Sequence, residues 1–251
     1  MPDLSVIDHV FAAAAAVGAG AVNALAGGGS LLSFPVLTAI GIPSVSANAT
    51  NTVALCPGYI GGAYSLRREI TASAEDLRRR AVVCGTGGLV GAILLLVTSD
   101  SAFRAIVPYL ILLSCVLLAT QDRVRAWVSG HRTGNMARVE SIALFACAAY
   151  GGYFGAGLGI MLIAVLGLFS DLDLTRLNAL KQPLAAVINV SAAAFLVFSG
   201  KVEWSIAAVM APTSLLGGAA GGRFSARVDA RRLRAVVVTI GIAVAVVYLV
   251  R

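Results

Sequence analysis

Apolar stretches of membrane-crossing length alternate with short polar punctuation along almost the whole of this chain. Uncharged or nearly uncharged windows run over residues 10–26, 46–66, 81–97, 103–119, 141–169, 177–200, 205–222 and 235–250. A helix needs roughly 20 apolar residues, with a range of about 17 to 25, to cross the hydrocarbon layer, so most of these windows are predicted as spans or near-spans. One stretch breaks the pattern. In NALAGGGSLLSFPVLTAIGIP, residues 23–43, three consecutive glycines separate one apolar run from a second, short one that ends at Gly41 and Pro43. A dozen helical residues at 1.5 Å each reach about 18 Å, short of a hydrocarbon core of about 30 Å. The second limb is therefore predicted to stop near mid-membrane.

The punctuation repeats. Sliding the chain along itself by 130 residues places Gly27 and Gly29 on Gly157 and Gly159, Asn48-Ala49 on Asn178-Ala179, and Gly87, Gly88 and Gly91 on Gly217, Gly218 and Gly221; Arg104-Ala105 falls on Arg234-Ala235. Matches of Gly, Asn and Arg at one offset and at matching places in the hydropathy carry weight that Ala or Leu matches would not. The chain reads as two homologous transmembrane halves, 1–120 and 138–251, joined by a cytoplasmic linker over 121–137.

Composition and charge sharpen this picture. Of the 251 residues 59% are hydrophobic and 12% charged, against about 25% charged in ordinary soluble domains. The net charge of +7 is carried by Lys and Arg concentrated between apolar windows, as the positive-inside rule requires, and no basic stripe is interleaved with aromatics, so nucleic acid is not an expected partner. The arginines of SLRREITASAEDLRRR (65–80) and of the linker mark the cytoplasmic side of the first half, and TSDSAF, poor in basic residues, faces out. In the second half RFSARVDARRLR (223–234) sits at the counterpart of TSDSAF, and the weakly charged GKVEW (200–204) lies near the counterpart of the Arg-rich loop. The charge asymmetry inverts between the halves. Inversion needs an odd net number of crossings per half, which holds if GGGS and its counterpart GGYFGAGLG (151–159) are tips of re-entrant hairpins, each followed by three full spans. The expected fold is all-α: a polytopic transmembrane helical protein with two inverted-topology repeats, multi-pass in the cell inner (plasma) membrane.

Non-helical backbone at membrane depth is tolerated only where protein buries it or where it lines a watery cavity. Two such tips would place two helix N-termini near the midplane, each offering unpaired N–H groups and about half a positive charge, an anion site where glycines allow close approach. Broken helices at the interface of inverted repeats are a recurring construction of secondary transporters. The competing reading is that the glycines only permit close packing; for Gly58/Gly62, Gly87/Gly91, Gly151/Gly155 and Gly217/Gly221, which are small-xxx-small patterns, packing is the expected role. Ser30 adjoins the first tip.

A polar cluster follows each hairpin: Asn48, Thr50 and Asn51 in the first half, and Asn178, Lys181 and Gln182 in the second. Asn51 and Lys181 occupy matched positions. Lys181 lies inside an apolar window, and an intramembrane ammonium is by default a functional group; the other reading is that it snorkels to the interface. Its depth decides between them. No Asp or Glu lies well inside a span, so no carboxylate proton relay or acidic Na⁺ cage is visible.

Enzymatic and metal-binding patterns are missing: there is no HExxH, GxSxG or phosphate loop ending in Gly-Lys-Ser/Thr. Ser30 has no His or Lys near it in sequence to make it a nucleophile. Cys56, Cys84, Cys115 and Cys147 stand singly in apolar segments and read as small buried hydrophobes. No cofactor and no metal are expected. The run Val10–Ala26 lacks the basic start of a signal peptide and is kept as part of the mature fold.

The stretches GGGSLLSFPVLTAIGIPSVSANATNT and GAGLGIMLIAVLGLFSDLDLTRLNALKQP resemble the sulfite exporter TauE/SafE family of bacterial and archaeal membrane transporters, over nearly the whole chain. The resemblance carries onto Gly27, Gly28, Gly29, Pro35, Asn48, Thr50 and Asn51, and onto Gly155, Gly157, Gly159, Asn178, Lys181, Gln182 and Pro183; Val165 stands where the second half would match Pro35. It implies an all-helical repeat architecture and a sulfur-containing anion, sulfite or a sulfonate, as substrate. The expected protein is thus a permease that alternately exposes a midplane anion site. That site would be built from Gly27, Gly28, Gly29, Ser30, Gly157 and Gly159 as N–H donors, Asn48, Thr50, Asn51, Asn178 and Gln182 as hydrogen-bonding side chains, and Lys181 as the selecting charge. Membrane lipids are its surroundings, and self-association is left open. An anion channel, a carrier of another solute and a non-transporting scaffold are the alternatives.

Overall fold

The computed structural model describes residues 4–25, 27–65, 74–130, 136–170, 172–224 and 230–250. Ten helices follow one another among them: α1 Val6–Leu25, α2 Ser30–Ala39, α3 Ser44–Ser65, α4 Ala74–Val97, α5 Asp100–Gly130, α6 Ala137–Tyr153, α7 Leu158–Phe169, α8 Leu174–Leu196, α9 Trp204–Phe224 and α10 Ala230–Val250. There are no strands among the described residues. Four of the helices are long and apolar enough to cross a membrane, over Val6–Ala24, Ala74–Val97, Asp100–Val124 and Arg176–Leu196, and α2, α7 and Ala235–Val250 are shorter apolar helices. Large apolar side chains cover the outside of the molecule, as on Val90 and Leu94 of α4, Tyr109 and Val116 of α5, and Val246 and Leu249 of α10. An outer face of this kind belongs in lipid rather than in water.

The elements correspond at one offset. Helices α3, α4 and α5 begin at residues 44, 74 and 100, and α8, α9 and α10 begin at 174, 204 and 230, each 130 residues later. The packing corresponds too. Helix α1 packs on α9 and α6 on α4; α3 packs on α9 and α8 on α4; α7 meets α5 and α2 meets α10. Helices α3 and α8, and α5 and α10, meet across the same relation. Each half thus packs chiefly against the other.

Glycine makes the closest of these contacts possible. A Cβ on Gly91 of α4 would overlap the Ala149 carbonyl of α6, and one on Gly217 of α9 would overlap the Val17 carbonyl of α1. The packing reading of Gly87/Gly91 and Gly217/Gly221 fits this geometry, since all four lie backbone to backbone against the partner helix.

Hydrogen bonds fix where the two short helices end. Just past the end of α4, Asp100 Oδ1 accepts the Val45 N–H at 2.9 Å, which ties the turn after α2 and the start of α3 to that end. Near the start of α4, Arg80 donates to Ser170 Oγ at 3.3 Å, which ties the end of α7 to the opposite end. Arg80 and Arg79 also hold Glu140, at 2.8 and 2.7 Å. Helix α2 is anchored by ring contacts: Phe34 meets Phe154 at 5.5 Å and Phe103 at 6.3 Å between centroids, edge to face. One difference from expectation concerns the linker. Helix α5 continues through Gly130, into the segment read as linker, because 121–130 holds no proline and only one terminal glycine.

Candidate functional site

The segment between α1 and α2 is short because Gly27 turns it. With φ of +79°, a left-handed conformation that costs little only for glycine, Gly27 donates its N–H to the Val22 carbonyl at 3.0 Å. Asn23 Oδ1 then accepts the Gly29 N–H at 2.7 Å, so one of the free N–H groups at the start of α2 is capped from within the hairpin. The segment between α6 and α7 is built alike. Gly157, at the position matching Gly27, has φ of +78° and caps α7. The Ala156 carbonyl beside it accepts from Ser114 Oγ at 3.0 Å and from Tyr150 Oη at 2.7 Å. Ser114 thereby clamps this tip to α5, where Leu118, one turn on, lies against Gly28.

The two tips touch. A Cβ on Gly27 would stand 3.1 Å from Gly159 Cα, and one on Gly159 would stand 3.2 Å from Gly27 Cα. All residues from Gly27 to Ser30 and from Gly155 to Gly159 are buried. Lys181 of α8 is 2% exposed, and a Cβ on Gly159 would lie 3.6 Å from its Nζ. The ammonium is therefore buried in the protein beside the junction of the tips. Among the described residues, the N–H groups of Gly28, Ser30, Gly157 and Gly159 have no acceptor. Buried donors without an acceptor thus occur on both tips, and the Lys181 ammonium lies beside Gly159 of the second.

The remaining expected residues are placed differently. Asn51, at 1% exposure, accepts a 2.5 Å hydrogen bond from Ser33 of α2, so the position matched to Lys181 also faces a short helix. Asn48 donates to the Tyr153 carbonyl at 2.7 Å, at the end of α6, and its buried Oδ1 has no partner among the described residues. Thr50 is turned to α9, where its hydroxyl oxygen accepts the Glu203 N–H at 2.8 Å. Gln182 is buried and Asn178 half-buried. Gly27, Gly159 and Lys181 are brought together; Thr50 meets the start of α9.

Sequence reasoning missed Asn23, Ser33, Ser114 and Tyr150, the polar groups that hold the tips. Each stands as an isolated hydrogen-bonding side chain in or beside an apolar window, which is the signal that marks it. It also missed the Arg79–Glu140–Arg80 cluster, whose acid lies 60 residues or more along the chain from the adjacent arginines.

A sequence profile described as "Sulfite exporter TauE/SafE" matches residues 12–248. The chain is 26% identical over 236 residues to the "Probable membrane transporter protein YfcA" of Escherichia coli (strain K12), covering 88% of this chain and 82% of that protein. It is 23% identical over 246 residues to the "Probable membrane transporter protein ORF9" of Sinorhizobium sp, covering 98% of this chain and 94% of that one. A "Probable membrane transporter protein" of Haemophilus influenzae is 24% identical over 203 residues, 80% of this chain and 79% of its own. No solved structure matches the chain.

Proposed function

Because this chain belongs to the sulfite exporter TauE/SafE family and is a multi-pass membrane transporter, we propose that it carries a small sulfur-containing anion, sulfite or a sulfonate, through a site at the junction of the two glycine tips. The observation that carries this reading is the backbone contact of Gly27 with Gly159 beside the buried Lys181 ammonium. Unpaired N–H groups at helix starts supply oriented donors without a bulky side chain, and Lys181 supplies the charge that rejects cations. Asn51 and Gln182 stand on the helices behind the two tips.

In this reading the halves 1–120 and 138–251 are inverted repeats, each a re-entrant hairpin followed by three spans. The correspondence of helix starts and of packing partners supports it. So does the attachment of the α2 and α7 ends to opposite ends of α4. Transport then alternates exposure of the junction to the two faces, by movement of one set of swapped helices against the other.

Uptake of radiolabelled sulfite into proteoliposomes tests this. Wild type should show saturable flux, and Lys181→Ala and Gly28→Leu should each lower it at least tenfold. Absence of flux from wild type for sulfite and for short sulfonates would remove the reading in favour of a scaffold; flux that does not saturate and shows no counter-substrate exchange would indicate a channel.

A further inference from the structure

A cavity of about 600 Å³ lies away from the tips, between the second half of α2 with the turn that follows it, the first turn of α5 and the end of α10. Its walls are largely apolar, with Pro35, Ile42, Val244 and Tyr248 among them, and its charged groups are Asp100 and Arg104. These two carry different obligations. Asp100 is committed to the Val45 N–H, at the electropositive start of α3. Arg104, one turn further along α5, forms no ion pair or hydrogen bond among the described residues. One carboxylate oxygen of Asp100 is thus occupied by a backbone donor, while the exposed Arg104 guanidinium keeps its five donors available.

Volume and lining narrow the ligand. Cavities of about 300–1,000 Å³, mostly apolar with a few placed polar groups, are the usual size and character of sites for organic molecules. A bare oxyanion would leave most of this space unfilled and would meet apolar walls on most sides. An anion with an apolar body fits both halves of the cavity. Position adds a further point. Pro35 lines the cavity, and Phe34, the residue before it on the way to Ser30 and the tip, is buried against Phe103 and Phe154.

We infer that this cavity is a second anion site, an antechamber separated from the tips by the Phe34 cluster, in which Arg104 holds the head of an organic sulfonate or carboxylate and the α2 and α10 walls hold its alkyl body. Its role as an antechamber rests on the transport reading; the binding of an alkyl anion does not.

The test reads binding without flux. Thr38→Cys and, separately, Val247→Cys would be made in a variant lacking the four native cysteines, placed in phosphatidylcholine nanodiscs and treated with a neutral, water-soluble maleimide. Both cysteines should be labelled, and 1-hexanesulfonate should slow labelling at least fivefold, whereas sulfate and hexyltrimethylammonium at equal concentration should not. Adding Arg104→Gln should reduce that protection to less than twofold. Failure of both cysteines to label, equal protection by the cation, or protection that survives Arg104→Gln overturns the site. Protection in phosphatidylglycerol nanodiscs without any sulfonate overturns it in favour of a resident lipid. Protection by hexanesulfonate with no flux of sulfite or short sulfonates in proteoliposomes would keep this site and remove the transport reading; flux without protection would do the reverse.

Discussion

Burying an ammonium is expensive, and a neutral side chain of similar length would serve a purely structural role better. Lys181 is therefore the residue whose role is most worth testing. Lys181→Met should lower sulfite uptake more than tenfold at a temperature well below its own thermal unfolding midpoint; uptake that stays at the wild-type level there would assign the lysine to the fold alone. The glycines test the other half of the site. Gly27 and Gly41 both have positive φ, +79° and +94°, but Gly27 abuts Gly159 whereas nothing lies within 4 Å of a Cβ on Gly41. Forcing a side chain into the left-handed region costs about 1–2 kcal/mol. Gly41→Ala should thus lose about that much stability in chemical unfolding, and Gly27→Ala should lose more, because its methyl also pushes on the Gly159 backbone. Both tips were legible as residues, since a run of glycine between apolar segments has few other uses. Their partners were not: Ser114 and Tyr150 reach the tip from separate helices, and nothing in their own neighbourhoods names Ala156 as the acceptor.

At the level of elements, what the sequence displays depends on whether a feature is periodic or pairwise. Short limbs, long spans and their repetition follow from lengths and offsets, so α2, α7 and the correspondence of α3–α5 with α8–α10 could be read directly. Swapping could not, because small-xxx-small glycines announce a close contact without naming the partner. In the structure α4 uses Gly91 against α6, and α9 uses Gly217 against α1. Overpacking a tight contact typically costs about 1–3 kcal/mol. Gly91→Val and Gly217→Val should each lower the unfolding midpoint measurably, while Val90→Ala, on an exposed face of the same α4, should not. Equal effects of all three would mean that the helix, and not its contact, is what the glycines protect.

The whole molecule is asymmetric in one respect that its repeated architecture does not require. At the end of α4 where α2 terminates there is a cavity with Arg104 beside it; at the other end, α7 terminates against a clasp in which Glu140, 3% exposed, is held by Arg79 and Arg80 and Arg80 reaches Ser170. The residues 130 positions from Arg80 and Glu140 are Met210 and Val10, so the clasp has no counterpart. On the proposed alternating-access reading, a symmetric pair of hairpins would favour neither face, and a one-sided clasp would bias the balance toward the state in which the α7 end is closed. A charge-assisted hydrogen bond contributes about 1.5–3 kcal/mol, which is about a 10- to 100-fold change in a two-state population. Glu140→Gln keeps the shape and removes the charge. It should raise the maleimide reactivity of a cysteine placed at Ser170 by about that factor and lower that of Thr38→Cys. Removal of the whole side chain in Glu140→Ala should instead cost about 3–5 kcal/mol of stability, because Arg80 would be left buried without its partner. If Glu140→Gln lowers stability while both reactivities stay as in wild type, the clasp only holds α4 to α6, and the direction in which the molecule opens is set elsewhere.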